Sequence, residues 1–216
     1  VACLDAYEST ADLSYFQFAH EIANTMLELF FDPIDGGFLD TARRSEGKDL
    51  GVLGAPRKPF QDSPTPAGNP VAAIALLRLH AYTNEQTYRQ KAERTLEIVA
   101  AVAGQYGLFA ATYGIAGVLL SEPKIDVVVI GSGKLAEELC REAVKPYSAR
   151  KTVLSLDFEK AVPQNLPPAL GQSIPQIPSV NEKKTSAVIC SDFSCQPPIY
   201  DPEQLSLSLQ RALRGK

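Results

Sequence analysis

The sequence predicts a mainly α-helical chain with a small three-stranded α/β unit at its C-terminal end. Before residue 122, apolar residues recur every three or four positions, as they do along one face of a helix. After Pro123, short runs of β-branched residues alternate with helical patterns, as in strands connected by helices. We therefore assign helical hairpins to residues 1–122 and the α/β unit to residues 123–216.

The N-terminal part carries five helical patterns. Alanine at inward positions, such as Ala72, Ala73 and Ala111, lets neighbouring helices approach closely, which is typical of packed α-hairpins. The patterns cover residues 2–9, 13–30, 71–79, 88–99 and 108–119.

The α/β unit begins with Val127–Ile130, an uninterrupted apolar run that predicts a buried strand. The segment 160–182 is rich in proline and is expected to be an irregular crossing loop, with at most one helical turn at residues 169–172. The remaining predicted elements are a helix over 135–144, strands over 152–156 and 186–189, and a last helix over 202–213.

Composition and charge exclude several classes of protein. The chain has 216 residues, 45% of them hydrophobic, and a formal net charge of −4. Lysine and arginine form no basic stripe, so we expect no nucleic-acid partner. The longest apolar run falls short of the roughly 20 residues that a membrane-spanning helix needs, so we expect no membrane segment. With no signal peptide before the four cysteines, the expected location is the reducing cytoplasm.

Two cysteines lie close together near the C-terminus. Cys190 and Cys195 form a C-x4-C pair, which is neither the spacing of a zinc knuckle nor that of a redox helix. A structural zinc would need two more ligands, and the two histidines, His20 and His80, belong to helical patterns in the other half of the chain. We therefore expect no metal and no cofactor, and a thiol pair that forms a disulfide under oxidising conditions.

The most informative segment is a polar, stiffened loop, Asp62–Pro70, that leads into an apolar helix. Its prolines fix φ, Gly68 permits close backbone approach, and Asn69 or Ser63 can cap the helix. A loop of this kind either binds a ligand or serves as a well-capped helix N-terminus.

This segment resembles the D-x-x-x-P-x-G-N-S-x-A-A segment of the YyaL-like, spermatogenesis-associated thioredoxin-domain family, with Pro70 where that family tends to have serine. Residues 35–41, D-G-G-F-L-D-T, are similar to the family's D-G-G-F-F-D-T loop. Residues 187–198 and 201–205 are similar to its C-terminal cysteine signature and last helix. The similarity covers nearly the whole chain, in order, and corresponds to the C-terminal third of such a protein.

The resemblance implies a partial α/α toroid of the six-hairpin glycosidase type, related to the N-acylglucosamine 2-epimerases. It implies a carbohydrate-binding or carbohydrate-modifying protein, and if it is an enzyme, one like a sugar epimerase or glycosidase. The expected partners are a carbohydrate ligand and the missing thioredoxin-like and helical parts, or else a second copy of the chain that covers the broken edges of the ring.

In such toroids, loops between inner helices converge on a central funnel. The resemblance therefore makes Asp35, Asp40 and Asp62 the candidate catalytic residues, because acid–base work on a sugar needs one protonated and one ionised carboxyl group. We expect Asp62 and Asn69 to face the same surface as residues 36–40. The alternative is that Asp62 caps a turn and Asp40 pairs with Arg43 or Arg44. The candidate ligand-binding residues are Gly37, Phe38, Ser63, Asn69 and Tyr7.

Two other functions stay open. One is a non-catalytic protein-interaction module. The other is a nucleotide-binding α/β protein, because the first strand is followed by Gly131-Ser132-Gly133 and the second by Asp157, as in dinucleotide-binding folds. Only one further strand is predicted after Asp157, which leaves no room for a second mononucleotide half. We therefore interpret the glycines as a tight strand-to-helix turn.

Overall fold

The computed structural model describes residues 1–43 and 56–214. Within them the chain is mostly helical and carries a small four-stranded mixed sheet, which confirms the predicted class of a mainly α chain with a small α/β part. The helices are α1 Ala2–Thr10, α2 Leu13–Phe30, α3 Gly68–Thr83, α4 Gln86–Glu97, α5 Ala111–Ser121, α6 Lys134–Val144, α7 Pro168–Ser173, α8 Pro178–Asn181 and α9 Pro202–Arg214. The strands are β1 Ile125–Ile130, β2 Lys151–Leu156, β3 Ser186–Ser191 and β4 Ser194–Cys195.

The chain divides into two compact units. The helical unit consists of Val1, Phe18–His80 and Glu85–Ser121. The sheet unit consists of Ala2–Gln17, Ala81–Asn84 and Glu122–Lys216. The sequence indicated a change from helical to α/β patterns near residue 122. In the structure, two segments from before that point, Ala2–Gln17 and Ala81–Asn84, also belong to the sheet unit.

The last helical pattern of the helical unit is divided in two. A 3₁₀ helix, Ala103–Ala110, precedes α5, and Gly107 within it has φ 51°. A positive φ cannot continue a right-handed helix. The predicted helix 108–119 begins one residue after Gly107, but its first three residues belong to the 3₁₀ helix and α5 starts only at Ala111.

The same stretch bears on the expectation that the chain has no membrane segment. Ala103–Ser121 is long and apolar enough, by length and composition, to cross a membrane, and only 11% of it is buried. Glycine, alanine and serine interrupt its large apolar side chains without adding charge. Beyond the break at Gly107, however, α5 has 11 residues, or about 16 Å of helix, against a hydrocarbon core of about 30 Å.

In the sheet unit the strand order is β2-β1-β3-β4. β1 and β2 are parallel and connected through α6, whereas β3 pairs antiparallel with both β1 and β4. β1 is central and its apolar run is buried, as predicted. One face of the sheet packs on α6 and α9 through a core that includes Val127, Val129, Ile189, Leu139, Leu205 and Leu209.

Two details of this unit differ from the prediction. The sheet has a fourth strand, β4, which is only two residues long and therefore left no alternating pattern in the sequence. The proline-rich segment is a series of short helices instead of an irregular loop: α7 contains the helical turn expected at 169–172, and α8 follows it. Pro168 and Pro178 occupy first helical positions, where the missing N–H costs nothing.

Candidate functional site

The loop Asp35–Asp40 has a backbone that only glycine can supply. Gly36 and Gly37 have φ angles of 79° and 75°. A Cβ on Gly36 would lie 2.7 Å from the carbonyl oxygen of Arg94, and one on Gly37 would lie 2.6 Å from Cδ1 of Ile98. The two glycines therefore let the loop lie directly against α4 and the residue after it.

Asn69 ties this loop to the segment before α3. Its Oδ1 accepts a hydrogen bond from the Phe38 amide at 2.6 Å. Its Nδ2 donates to the carbonyl oxygens of Phe38, at 2.9 Å, and Pro59, at 3.0 Å. Asn69 is only 2% exposed, so this amide joins two loops instead of capping its own helix as the sequence suggested.

A salt bridge joins the same two segments. The Asp32 carboxylate lies 2.7 Å from Nζ of Lys58 and accepts hydrogen bonds from the amides of Ile34 and Asp35. The Lys58 ammonium and the Ile34 amide lower the pKa of Asp32 to about 2. Sequence reasoning missed Asp32, because it precedes the glycine loop and its partner, Lys58, lies far along the chain.

Asp62 links its loop to the N-terminus of α5. Its Oδ2 accepts the Thr112 amide at 2.8 Å, and its Oδ1 accepts the Ala67 amide at 2.9 Å. Partial burial acts to raise the pKa of Asp62, but the hydrogen bonds from Thr112 and Ala67 outweigh it and the pKa lies below its ordinary value. A carboxylate at a helix N-terminus satisfies an otherwise unpaired amide and interacts favourably with the helix dipole. Asp62 is thus an ionised helix cap, supplied from a distant part of the chain.

Asp35 and Asp40 are the exposed carboxylates of the loop. Asp40 Oδ1 accepts the Arg57 amide at 3.0 Å, and the Asp40 amide donates to the Arg57 carbonyl. The Arg43 guanidinium donates to the carbonyl of Glu28, and Arg44 lies outside the described residues. The loop that carries Asp35 and Asp40 is therefore tied to the segment 57–69 at Asp40, at Phe38 and through Asp32.

The candidate ligand-binding residues divide by exposure. Gly37, Phe38 and Asn69 are buried, and the Phe38 ring packs edge-on against Phe31, 5.3 Å between centroids. Ser63 is exposed in the loop before α3. Hydrogen bonds thus bring together the loop Asp35–Asp40 and Asn69, but the ring of Phe38 belongs to the core of the helical unit.

Tyr7 belongs to the sheet unit. Its ring packs against Phe16 and Tyr82 and has no exposed surface, so no ligand can stack on it in this conformation. Its hydroxyl is buried and has no hydrogen-bond partner among the described residues. Burial, followed by the nearby carboxylates of Asp126 and Glu8, raises the pKa of Tyr7.

In the glycine turn after β1, Thr185 occupies the space that a side chain on residue 131 would need. Gly131 has φ 112°, and a Cβ there would lie 2.3 Å from Oγ1 of Thr185. Asp157, at the end of β2, accepts the Lys160 amide at 2.7 Å. Gly131 and Asp157 therefore have local structural roles, whereas a Cβ on Gly133 would have no atom of the described residues within 4 Å beyond its chain neighbours and its own helix.

Within the described ranges, no group of three histidine, cysteine, aspartate or glutamate residues is placed to hold a metal ion. Cys190 and Cys195 are joined in a disulfide, whereas the expected resting state was a thiol pair. They are register partners on β3 and β4, which explains how a C-x4-C spacing brings the two side chains together.

An exposed apolar surface lies on α5 and the residues before it. Leu108, Ala111, Ile115 and Val118 recur at helical spacing and are all exposed, Leu108 at 86%. We call these four residues the apolar face. Residues 98–121 contain no charged side chain. Among the described residues, apart from the glycines' chain neighbours and the helix's own backbone, no atom lies within 4 Å of a Cβ placed on Gly114 or Gly117 of the same helix.

Comparison with known proteins gives distant similarity to one kind of protein. No family model matches the chain. It is 24% identical over 218 residues to Spermatogenesis-associated protein 20 of Homo sapiens, which covers 94% of this chain and 25% of that protein. It is 34% identical over 88 residues to Spermatogenesis-associated protein 20 of Mus musculus, which covers 41% of this chain and 11% of that protein. The chain therefore spans about a quarter of the length of the human relative.

Proposed function

We propose that this chain is a segment of a larger protein of the Spermatogenesis-associated protein 20 type, with a thioredoxin-like domain and an α/α toroid, and that it acts as a docking module within it. The observation that carries this proposal is the apolar face, which leaves Leu108, Ile115 and Val118 in water. Large contiguous apolar surfaces on soluble domains usually mark interaction sites.

The glycines of α5 support a closely packed partner. A glycine inside a helix costs about 1 kcal/mol relative to alanine, so its presence usually has a packing reason. The described residues offer no such reason at Gly114 or Gly117, because the space above both is open. A second helix crossing α5 there would find small residues that permit close approach.

The occupant that we assign is another helix of the same larger protein. The aligned region makes up 25% of the human relative, so three quarters of such a protein is left to supply it. Because residues 98–121 are uncharged, the matching surface must itself be apolar and uncharged. A lipid bilayer is the less suitable occupant, because the uninterrupted helix is about half as long as the hydrocarbon core is thick.

Co-expression with the rest of the relative tests this proposal. The partner is the part of human Spermatogenesis-associated protein 20 outside the aligned region. The test variant, Ile115→Glu, places a charge on the apolar face. The control, Val144→Glu, places a charge on an exposed apolar residue of the sheet unit. We expect the native chain and the Val144→Glu variant to co-purify with the partner, and the Ile115→Glu variant not to co-purify with it. Equal recovery of all three, or transfer of the native chain to phosphatidylcholine vesicles instead, would contradict the proposal.

Carbohydrate binding is the second candidate, and a separate observation favours it. Asp35 and Asp40 are exposed carboxylates on a loop held by Asn69 and by the salt bridge between Asp32 and Lys58. Carboxylates held in place on a rigid scaffold can accept hydrogen bonds from sugar hydroxyls, and two of them at the right separation can supply acid–base chemistry.

Titration with N-acetylglucosamine, followed by NMR shifts of the loop amides, tests this second candidate. The double variant Asp35→Asn, Asp40→Asn should abolish the shifts, whereas Asp201→Asn, an exposed aspartate of the sheet unit, should leave them unchanged. Shifts that persist in the double variant, or that are absent from the native chain, would remove the loop from consideration as a sugar site.

A further inference from the structure

We propose that Cys190 and Cys195 form a reversible redox site that exchanges with a dithiol. This inference does not depend on the function proposed above. The two residues face each other as register partners at the end of the β3–β4 hairpin, and their sulfur atoms are bonded. A redox-active disulfide differs from a structural one in two respects. The fold does not depend on the bond, and an external thiol can reach it.

The fold holds this segment without the disulfide. The Gln196 amide donates to the Ile189 carbonyl at 2.9 Å. Further along, Ala187 and Ile199 exchange two backbone hydrogen bonds of 2.8 Å each. These bonds keep residues 194–199 paired with β3 after reduction, so the two thiols stay opposite each other and can re-form the bond.

Access to the pair is one-sided. Cys190 is buried, at 6% exposure, whereas Cys195 is partly exposed and lies between two exposed residues, Ser194 and Gln196. An incoming thiol therefore reaches the Cys195 sulfur first. Asp126 is the register partner of Cys190 on β1, and its carboxylate is paired with the ammonium of Lys124, which offsets the negative charge beside the buried sulfur.

A dithiol reduces the disulfide in two exchange steps. One thiolate of the dithiol attacks the Cys195 sulfur, the bond between Cys195 and Cys190 breaks, and Cys190 leaves as a thiolate that takes up a proton. The second thiol of the reductant loses its proton and attacks the mixed disulfide at the reductant's own sulfur. Cys195 is then released, the chain has gained two electrons, and the dithiol has become a disulfide.

Dithiothreitol serves as the probe dithiol on the folded 216-residue chain, followed by alkylation and peptide mass mapping. We expect Cys190 and Cys195 to become alkylated without denaturant, and the circular dichroism spectrum to stay native. Oxidised dithiothreitol should then restore the bond. A disulfide that resists dithiothreitol until denaturant is added would overturn the proposal, as would reduction that unfolds the chain.

Single variants test which sulfur is attacked. Cys190→Ser leaves the Cys195 thiol, and Cys195→Ser leaves the Cys190 thiol. We expect 5,5′-dithiobis(2-nitrobenzoic acid) to react at least tenfold faster with the first thiol than with the second, each measured against the double variant to subtract Cys3 and Cys140. Equal rates, or a faster reaction at Cys190, would refute the assignment of Cys195 as the attacked sulfur.

Discussion

Asn69 offers the sharpest test of how the loops of the helical unit are held. Its side chain makes three hydrogen bonds to the backbone of Phe38 and Pro59 and is 2% exposed. A buried hydrogen bond contributes about 1 kcal/mol net, and removing one side of it also leaves the other group unpaired. We therefore expect Asn69→Ala to lower the free energy of unfolding by about 3 kcal/mol.

Asn69→Asp is a nearly isosteric second change. It keeps the acceptor for the Phe38 amide but turns the donor toward Phe38 and Pro59 into an oxygen that faces two carbonyl oxygens. We expect a loss at least as large as that of the alanine variant, because a buried charge would meet two acceptors.

Urea unfolding monitored by circular dichroism measures both variants. The control is Asn165→Ala, since Asn165 is exposed and donates one hydrogen bond, to the Glu159 carbonyl. That change should cost less than about 1 kcal/mol. If Asn69→Ala cost no more than the control, the proposed tie between the two loops would be wrong.

Three further changes have defined outcomes. Tyr7→Phe should raise the free energy of unfolding by about 1 kcal/mol in a urea titration, because it removes a buried hydroxyl that has no partner among the described residues; a loss of stability would refute this. Gly131→Ala should lower the melting temperature, because its Cβ would clash with Thr185, whereas adding NAD to the native chain should not change it; stabilisation by NAD would revive the nucleotide hypothesis. Because the folded pKa of Asp32 lies at about 2, below its ordinary value of about 3.9, its ion pair with Lys58 stabilises the fold fully above about pH 4 and is lost as pH falls toward 2. In the Asp32→Asn variant, the loss of unfolding free energy between pH 4 and pH 2 should be smaller by about 1 kcal/mol, a modest value because the pair is partly solvated. An unchanged curve of stability against pH would contradict the stabilising role of this ion pair.

Local patterns predicted most of the secondary structure. The apolar run Val127–Ile130 could only be a buried strand in a chain of this composition, and it forms most of β1. The helical spacing of residues 13–30 matches α2 from Leu13 to Phe30. In both cases the signal lies within a few residues of chain, which is the range over which period and propensity act.

The contacts that shape the loops could not be predicted in this way. Asn69 bonds to Phe38, 31 positions away, and Asp62 bonds to Thr112, 50 positions away. The sequence marked both polar residues as significant, but a side chain that caps its own helix and one that caps another helix look the same in sequence. Their partners are set by how the helices pack, which a single sequence does not show.

Two kinds of residue were misinterpreted because their effect depends on position. Proline was taken as a breaker in segment 160–182, whereas Pro168 and Pro178 begin helices. Gly107 lies just before the predicted helix 108–119, and its positive φ falls in a 3₁₀ helix that runs to Ala110, so α5 begins only at Ala111. Both errors come from reading the residue type without the backbone angle that it adopts.

The most direct test of the docking proposal is the accessibility of the apolar face in the assembled protein. Val118→Cys places a thiol on that face, and labelling with iodoacetamide followed by mass mapping separates it from Cys3 and Cys140. We predict rapid labelling at position 118 in the isolated chain, and at least tenfold slower labelling once the remaining part of a Spermatogenesis-associated protein 20 is bound. Labelling at the same rate in both states would contradict the proposal that further helices cover this face.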